Sequence, residues 1–537
     1  MASRNDGSPI AVISGDLSPS GILSFAVFLL ALGLAPCASA TIRYQISMSH
    51  PESHLFHVQM DIPDVAPGST IAMPAWNALY QIRDFAYRVR DVEVAQIPSA
   101  QAAPNHFAVA RKLDKQDWSL DVETGSGDSI TSAPDDVVTY SVSWDDPGPF
   151  SSQLNDHHAF INLAEILMYM PERRAEKTEV EFDDVPPGWQ IIAELSPGPG
   201  PDSFTASSYD ALVDAPVEAG DFDEFEFYND GACFRVVVDA RSWNKGLLRE
   251  ALQRITAYEL HLMGGPPFSE YTFIFHIGSY SDVGGGGMEH MNSTAIASTS
   301  TGSAAAIAAH EFFHVWNVKR IRPRTLQPVD YSKEQYTRAL WFAEGVTNTY
   351  SAYTLERTHL WSKKQFYADL ASQIAELQSH PARKWQSAEE SSLDAWFEKY
   401  DGYNLPDRSI SYYNKGQILG VMLDLAIRDA TDNRKSLDDV MRRMNDEYAK
   451  RGLYYDDSDG VRRVVEEVSG KSFADFFRRY VSGTDEIPYN RFLSIAGLRV
   501  KLSPAMDGST DAEITEISHP SERQRTIREG LLRGVTQ

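Results

Sequence analysis

The apolar residues of this chain change their period part-way along it, and that change limits the available folds more than any other feature. From Thr41 to about Gly220, short segments alternate apolar and polar, as in Ile42-Arg43-Tyr44-Gln45-Ile46-Ser47-Met48 and Val138-Thr139-Tyr140-Ser141-Val142, the two-residue period of strands with one buried face. Turn residues punctuate them densely, including Pro186-Pro187-Gly188 and Pro197-Gly198-Pro199-Gly200-Pro201, as an antiparallel sheet or sandwich requires. After an acidic stretch at 221–226, strand-like residues 234–238 and 271–277 flank a helical segment at 245–262. From Ser303 onward apolar residues recur every three or four positions, which predicts helices over 304–318, 333–358, 363–376, 413–428, 436–448 and 472–481. The expected fold is α+β and multidomain: a β-rich domain at 41–220, then a domain at 221–497 that is mostly helical from about 303.

At 537 residues the chain is too long for one ordinary core and has room for about three domains. Apolar residues at 42% and charged residues at 23% describe a packed chain and not a disordered one. The formal charge of −26 repels phosphate and argues against nucleic acid as a partner; otherwise it describes a solvated surface. Residues 22–34 are a largely apolar run followed by small residues ending in Ala38-Ser39-Ala40, so residues 1–40 read as a signal peptide and the protein is expected to be exported, to the periplasm or beyond. That run is too short to span a bilayer, and nothing later offers about 20 uninterrupted apolar residues, so no stable membrane insertion is expected. Cleavage after Ala40 removes Cys37 and leaves Cys233, expected to be a buried small hydrophobe, with no partner for an intramolecular disulfide.

The segment His310-Glu311-Phe312-Phe313-His314 carries candidate chemistry. On a helix its two histidines lie one turn and about 40° apart, so both imidazoles can meet one ion. Glu311 flanks that ion without ligating it, the position of a carboxylate that takes a proton from metal-activated water. Ser303 is a plausible cap, and Ala304 to Ala309 are strong helix formers. Catalytic zinc keeps three protein ligands and an open position. Glu344, 30 residues after His314 in Leu340-Trp341-Phe342-Ala343-Glu344-Gly345-Val346-Thr347, is an acid among apolar neighbours that would be costly to bury without a cation. Asn348, on the same helix face, is a candidate for outer hydrogen bonding. Any one of these residues could be an ordinary helix histidine or surface acid; the complete set is what argues for a metal site.

The run HEFFHVWNVKRIRP at 310–323, together with WFAEGVTNTY at 341–350, resembles the glycyl aminopeptidase family of zinc metallopeptidases, Glu-ligated zincins of thermolysin-like fold. The resemblance extends from about 41 to 497. It implies one catalytic Zn²⁺ on His310, His314 and Glu344, a thermolysin-like catalytic domain at 221–497, and a PDZ domain after it. Only 40 residues follow Gly497, without a Gly-Leu-Gly-Phe-type loop, so 498–537 is expected to be a short tail, a remnant or truncated PDZ region.

Upstream, Gly284-Gly285-Gly286-Gly287-Met288-Glu289-His290 allows backbone to approach a ligand closely. It is similar to the Gly-x-Met-Glu-Asn segment of related zinc aminopeptidases, with His290 in place of Asn. By that resemblance Glu289 would hold a substrate α-amino group while Gly286, Gly287 and Met288 pair with the peptide as an edge strand; a glycine-rich surface turn with Glu289 as a structural cap is the alternative. Tyr413-Asn414-Lys415-Gly416 is similar to the Tyr-x-Lys-Gly segment of the same enzymes, which implies that Tyr413 stabilises the oxyanion, with Tyr412 the second candidate. One such donor is worth roughly 3 kcal/mol in a transition state. The expected activity is therefore zinc-dependent aminopeptidase action on peptides with a free N terminus, with Glu311 as general base; small first residues, Gly or Ala, are implied by the resemblance alone. A zinc endopeptidase with the same site, and a noncatalytic periplasmic binding or scaffold protein, remain as alternatives.

Overall fold

The alternating segments in the first part of the chain fold as strands. The structure, a computed structural model, describes residues 41–77, 80–97, 107–121, 135–278 and 285–534; the expected signal peptide, Cys37 and Gly284 lie outside them. Strands β1 (Ile42–Ser47), β2 (Leu55–Ile62), β3 (Val89–Ile97), β4 (Asp135–Ser143), β5 (His158–Ile161), β6 (Thr178–Asp183) and β7 (Val217–Gly220) contribute to two sheets. In the larger, eight-stranded one, β6, β1, β2, β4 and β3 are successive neighbours; β1 and β6 run parallel and the other named pairs antiparallel. In the smaller, β7 and β5 are the middle pair of four strands. Every second residue of β2 (Phe56, Val58, Met60 and Ile62) is buried, because the pleat sends alternate side chains to opposite faces. These strands share one hydrophobic core, which also takes in Tyr331 from the later part of the chain.

A second core begins at Phe225. Strands β8 (Asp223–Asn229), β9 (Ala232–Ala240), β10 (Glu270–Ile277), β11 (Gly286–Glu289) and β12 (Ser293–Ser298) form a five-stranded sheet in the order β8-β9-β10-β12-β11. Its three central strands are parallel and β8 and β11 are antiparallel edges. The parallel step from β9 to β10 passes through α1 (Lys245–Met263), capped by Asn244 and ended at Gly264 with φ of 85°, where a left-handed residue stops the helix. Strand β10 is buried along almost its whole length, because layers cover both faces. On one face Phe273 packs against Phe312; on the other, Ile274 and Ala295 pack against Phe160 of β5.

Helices dominate from Thr301: α2 (Thr301–Glu311), α3 (Thr347–Arg357), α4 (Lys363–Ser379), α5 (Tyr412–Ala430), α6 (Leu437–Glu447) and α7 (Asp457–Ser469). The architecture is α+β, β-rich first and mostly helical second, as the two periods predict. Among the described residues no helix is long and apolar enough to cross a membrane. The tail folds as a hairpin, β13 (Leu498–Pro504) with β14 (Thr510–Glu516), and a helix, α8 (Glu522–Arg533); Leu498, Val500, Ile514, Ile527 and Leu531 belong to the same core as the helices from α1 onward.

Four local expectations are corrected. The cap of α2 is Ser300, whose side chain accepts from the Ser303 backbone N–H, and not Ser303 itself. The helix predicted over 304–318 ends at Glu311 and continues only as a 3₁₀ turn, Phe313–Val315. Residues 333–339 are not helical: the Thr337 hydroxyl and the Arg338 N–H bond to Asp457, and Trp341 N–H bonds to the Ser392 hydroxyl, so distant side chains set the helix start. Cys233 is half-buried, because it stands opposite exposed Tyr228 on the antiparallel β8–β9 pair.

Candidate metal centre and active site

The end of α2 delivers His310 and Glu311, and the 3₁₀ turn that follows delivers His314. The Nε2 atoms of His310 and His314 lie 2.9 Å apart. Glu344 approaches from a wide π-type turn, Trp341–Val346, that leads into α3; its Oε2 lies 3.5 Å from His310 Nε2 and 3.2 Å from His314 Nε2. His314 and Glu344 are buried, and His310 is nearly so.

The donor set fits a metal cation. His314 Nδ1 donates to the Asn317 carbonyl at 2.5 Å, so a neutral ring presents only a lone pair at Nε2. That lone pair faces a second imidazole nitrogen and a carboxylate oxygen, and such a group is stable only with a proton or a cation at its centre. Without a metal, a proton fills the role. Burial alone would lower the His314 pKa, but the Glu344 carboxylate outweighs it and pushes His314 up to about 10. Burial would likewise raise Glu344, yet His314 and His310 hold its carboxyl well below the usual range.

Asn317 is the group that ties the ligand segments together. Its side-chain N–H donates to the carbonyls of Phe342 and Ala343 and to the Thr347 hydroxyl, bracing the Glu344 turn against the backbone that orients His314. Sequence reasoning placed this support at Asn348; the available signal for Asn317 was its position three residues past His314, and its full burial is a property of the fold.

Glu311 is buried, and its Oε2 has no hydrogen-bond partner. Burial raises its pKa well above the carboxylate range, His314 opposes this, and Glu289 and Glu344 add to it; a dication at the three ligands would draw it back down. Strand β11 passes directly over this carboxyl. A Cβ on Gly287 would sit 2.4 Å from the Glu311 side chain, and one on Gly286 would lie 3.2 Å from the Phe150 ring. The same strand brings a carboxylate oxygen of Glu289 within 4.8 Å of ligand atoms on Glu311 and His314. Met288 is buried beneath the strand and its carbonyl accepts from the Thr294 hydroxyl. The turn after β11 is fastened by Asp214, which accepts from Met291 N–H and pairs with Lys319, with His290 at 3.5 Å.

Tyr413 opens α5 behind the cap Ser411 and its ring centroid lies 6.2 Å from that of His310. Burial, then Glu344, raises its pKa far above the usual value, so the hydroxyl stays a hydrogen-bond donor. The hydroxyl of the adjacent Tyr412 bonds to Tyr413 and to Glu398, whose carboxyl burial pushes up to about 7, and Glu344 acts on that hydroxyl as well. The structure thus brings His310, His314, Glu344, Glu311, Glu289 and Tyr413 to one locality, with the ring of Tyr412 packed against that of Tyr413 at 4.7 Å.

Two further residues at this locality carry no sequence motif. Glu398 comes from the segment preceding α5. Tyr80 comes from the β-rich part of the chain, where Glu344 and Glu289 act on its hydroxyl, and its ring packs against Trp76 and Trp396. With Met288, Glu289 and Arg322, Trp76 and Tyr80 line a small cavity of about 80 Å³.

The chain matches two models of known protein families: one described as M61 glycyl aminopeptidase, over residues 303–419, and one described as Peptidase M61 N-terminal domain, over residues 43–221. No curated protein matches it. Among solved structures it is similar to an aminopeptidase N family protein from Idiomarina loihiensis, at 25% identity and a TM-score of 0.79, covering 86% of this chain and 79% of that one. It shares its fold with aminopeptidase A of Legionella pneumophila, solved in complex with aspartic acid, at 12% identity and a TM-score of 0.50, covering 90% of this chain and 52% of that one.

Proposed function

The chain belongs to the M61 glycyl aminopeptidase family and is a metallopeptidase acting on peptides, and from that premise we propose that it is a zinc-dependent aminopeptidase with the reactive groups described above. The observation that carries the proposal is the convergence of two imidazole nitrogens and the Glu344 carboxylate, with the carboxylates of Glu311 and Glu289 beside them. The residues that would hold the ion are His310, His314 and Glu344. Zinc, when bound there, supplies a Lewis acid for the scissile carbonyl and for water.

The remaining work falls to the chain. Glu289 pairs with the α-ammonium group of the peptide, while the open edge of β11 accepts the substrate backbone as an added strand. Glu311 takes a proton from the attacking water onto its unpartnered oxygen and returns it to the leaving amine. The Tyr413 hydroxyl donates to the developing oxyanion. A preference for Gly or Ala at the first residue is supported by the cavity beside Glu289, whose volume of about 80 Å³ equals on the order of three waters. Export directed by residues 1–40 is part of the same proposal, and N-terminal sequencing of the mature protein tests it.

The central test is Glu311→Gln. We expect zinc at wild-type stoichiometry and a fall in peptide hydrolysis of on the order of 10²–10⁴-fold; unchanged turnover would remove Glu311 from the mechanism. Run in parallel, N-acetylated peptides should resist cleavage while free-amine peptides are cut, and efficient internal cleavage of blocked peptides would instead identify an endopeptidase.

A further inference from the structure

A second buried set of metal-ligating side chains lies in the seam between the β-rich part and the five-stranded sheet, and it shares no residue with the site above. His158 of β5, Glu218 of β7 and His276 of β10 are each 2% exposed or less. Glu218 stands between the imidazoles: Oε1 is 2.9 Å from His158 Nδ1 and Oε2 is 2.9 Å from His276 Nε2. Asp239 of β9, next to His276 in the parallel register, brings an oxygen without a hydrogen-bond partner to 3.6 Å from His158 Nδ1.

The protonation of His158 is constrained from outside. Gln153 donates its amide N–H to Asp145 at 3.0 Å, which turns its Oε1 toward His158 Nε2 at 3.1 Å. The Nε2 of His158 must then carry the hydrogen, and a neutral ring would direct the Nδ1 lone pair at two carboxylates. A fully buried carboxylate facing two ring nitrogens, with a second, partly exposed one 3.6 Å from His158 Nδ1, requires positive charge among them. Two imidazoles, a glutamate and an aspartate are a zinc-type donor set, and Gln153 on the far nitrogen is the outer hydrogen bond that ligating histidines ordinarily make. Ligand atoms around one zinc ion lie about 3.3 Å apart, and one ligand atom from each of His158, Glu218 and His276 lies within 4.8 Å of the other two.

We infer that His158, Glu218, His276 and Asp239 form a second divalent-cation site, of the zinc class, that fastens the β-rich sheet to the sheet carrying the active-site strand. Its ligands come from β5, β7, β9 and β10, so one ion ties together strands that hydrogen bonds alone leave in separate sheets.

The test counts zinc per chain by elemental analysis after zinc loading and exhaustive dialysis of the full-length protein. Wild type should hold two equivalents, the His310→Ala/His314→Ala variant one, and the His158→Gln/His276→Gln variant one, with peptide hydrolysis retained in the last. A wild type holding a single equivalent that the His310→Ala/His314→Ala variant loses, or a His158→Gln/His276→Gln variant that still holds two, overturns the inference and leaves His158 as a buried imidazolium. Should the His158→Gln/His276→Gln variant fail to fold, Co²⁺ added to the His310→Ala/His314→Ala variant decides the question. Visible bands of a four-coordinate nitrogen–oxygen site that shift on Asp239→Asn support it, and a spectrum without such bands rejects it.

Discussion

At the scale of single residues, the site depends on what is missing from Gly287 as much as on what its neighbours carry. A Cβ there would stand 2.4 Å from Cγ, Cδ and Oε1 of Glu311, well inside any tolerable contact, and the obstacle is the carboxylate proposed above as general base. Gly287→Ala must therefore displace either the strand or the carboxyl, and a misplacement of about 1 Å costs on the order of 10²-fold in rate. We expect kcat/KM on a free-amine alanyl substrate to fall by about that factor with zinc content unchanged; activity within a few-fold of wild type would show that the strand moves aside at no catalytic cost. The role of Gly287 was visible in sequence as permissiveness only. That its freedom is spent on Glu311, 24 positions downstream, is a property of the fold, as is the arrival of Tyr80 from the β-rich part.

At the scale of elements, the decisive contact is the crossing of α5 over the turn that holds Glu344. Gly345 and Gly416 meet there: a Cβ on Gly416 would lie 2.2 Å from the Trp341 carbonyl oxygen, and one on Gly345 would lie 2.4 Å from Gly416 Cα. The glycine of the Tyr-x-Lys-Gly segment thus sets how closely Tyr413 and Glu344 are brought together. Gly416→Ala should cost about 1–3 kcal/mol as overpacking and should weaken zinc binding as Glu344 shifts, readable as a lower urea midpoint and a raised zinc Kd; a loss of stability with zinc affinity intact would separate the crossing from the ligand. Which elements exist was largely legible, because the two periods follow from burial on one face. The convergence of His310, His314 and Glu344 was legible too, since the two histidines are local in sequence and Glu344 is an acid in apolar surroundings. Element ends were not. Of the hydroxyls in Ser298-Thr299-Ser300-Thr301-Gly302-Ser303, any of several fits a cap, and packing chose Ser300. The start at Leu340 is fixed by Asp457 and Ser392, which no local pattern reports.

At the scale of the whole molecule, the tail behaves as part of the helical core. The carbonyl of Leu531 in α8 accepts from Nε and Nη2 of buried Arg357, whose Nη1 pairs with Asp438 at 3.1 Å. Gly530 passes so near the buried Arg428–Asp424 pair that a Cβ would lie 2.6 Å from Arg428 Nη1. These charges sit on α3, α5 and α6, the first two of which follow the Glu344 turn and begin at Tyr412, so the tail braces the helices that present the site. Its polar, weakly patterned sequence concealed this, because α8 buries only Ile527 and Leu531, too few apolar positions to display a period. Leu531→Ala should then lower the stability of the entire catalytic half by about 2–5 kcal/mol, the cost of a core leucine, in one cooperative urea transition. A tail that packed as an independent appendage would instead melt in a separate step and leave the main midpoint where it stands in the wild type.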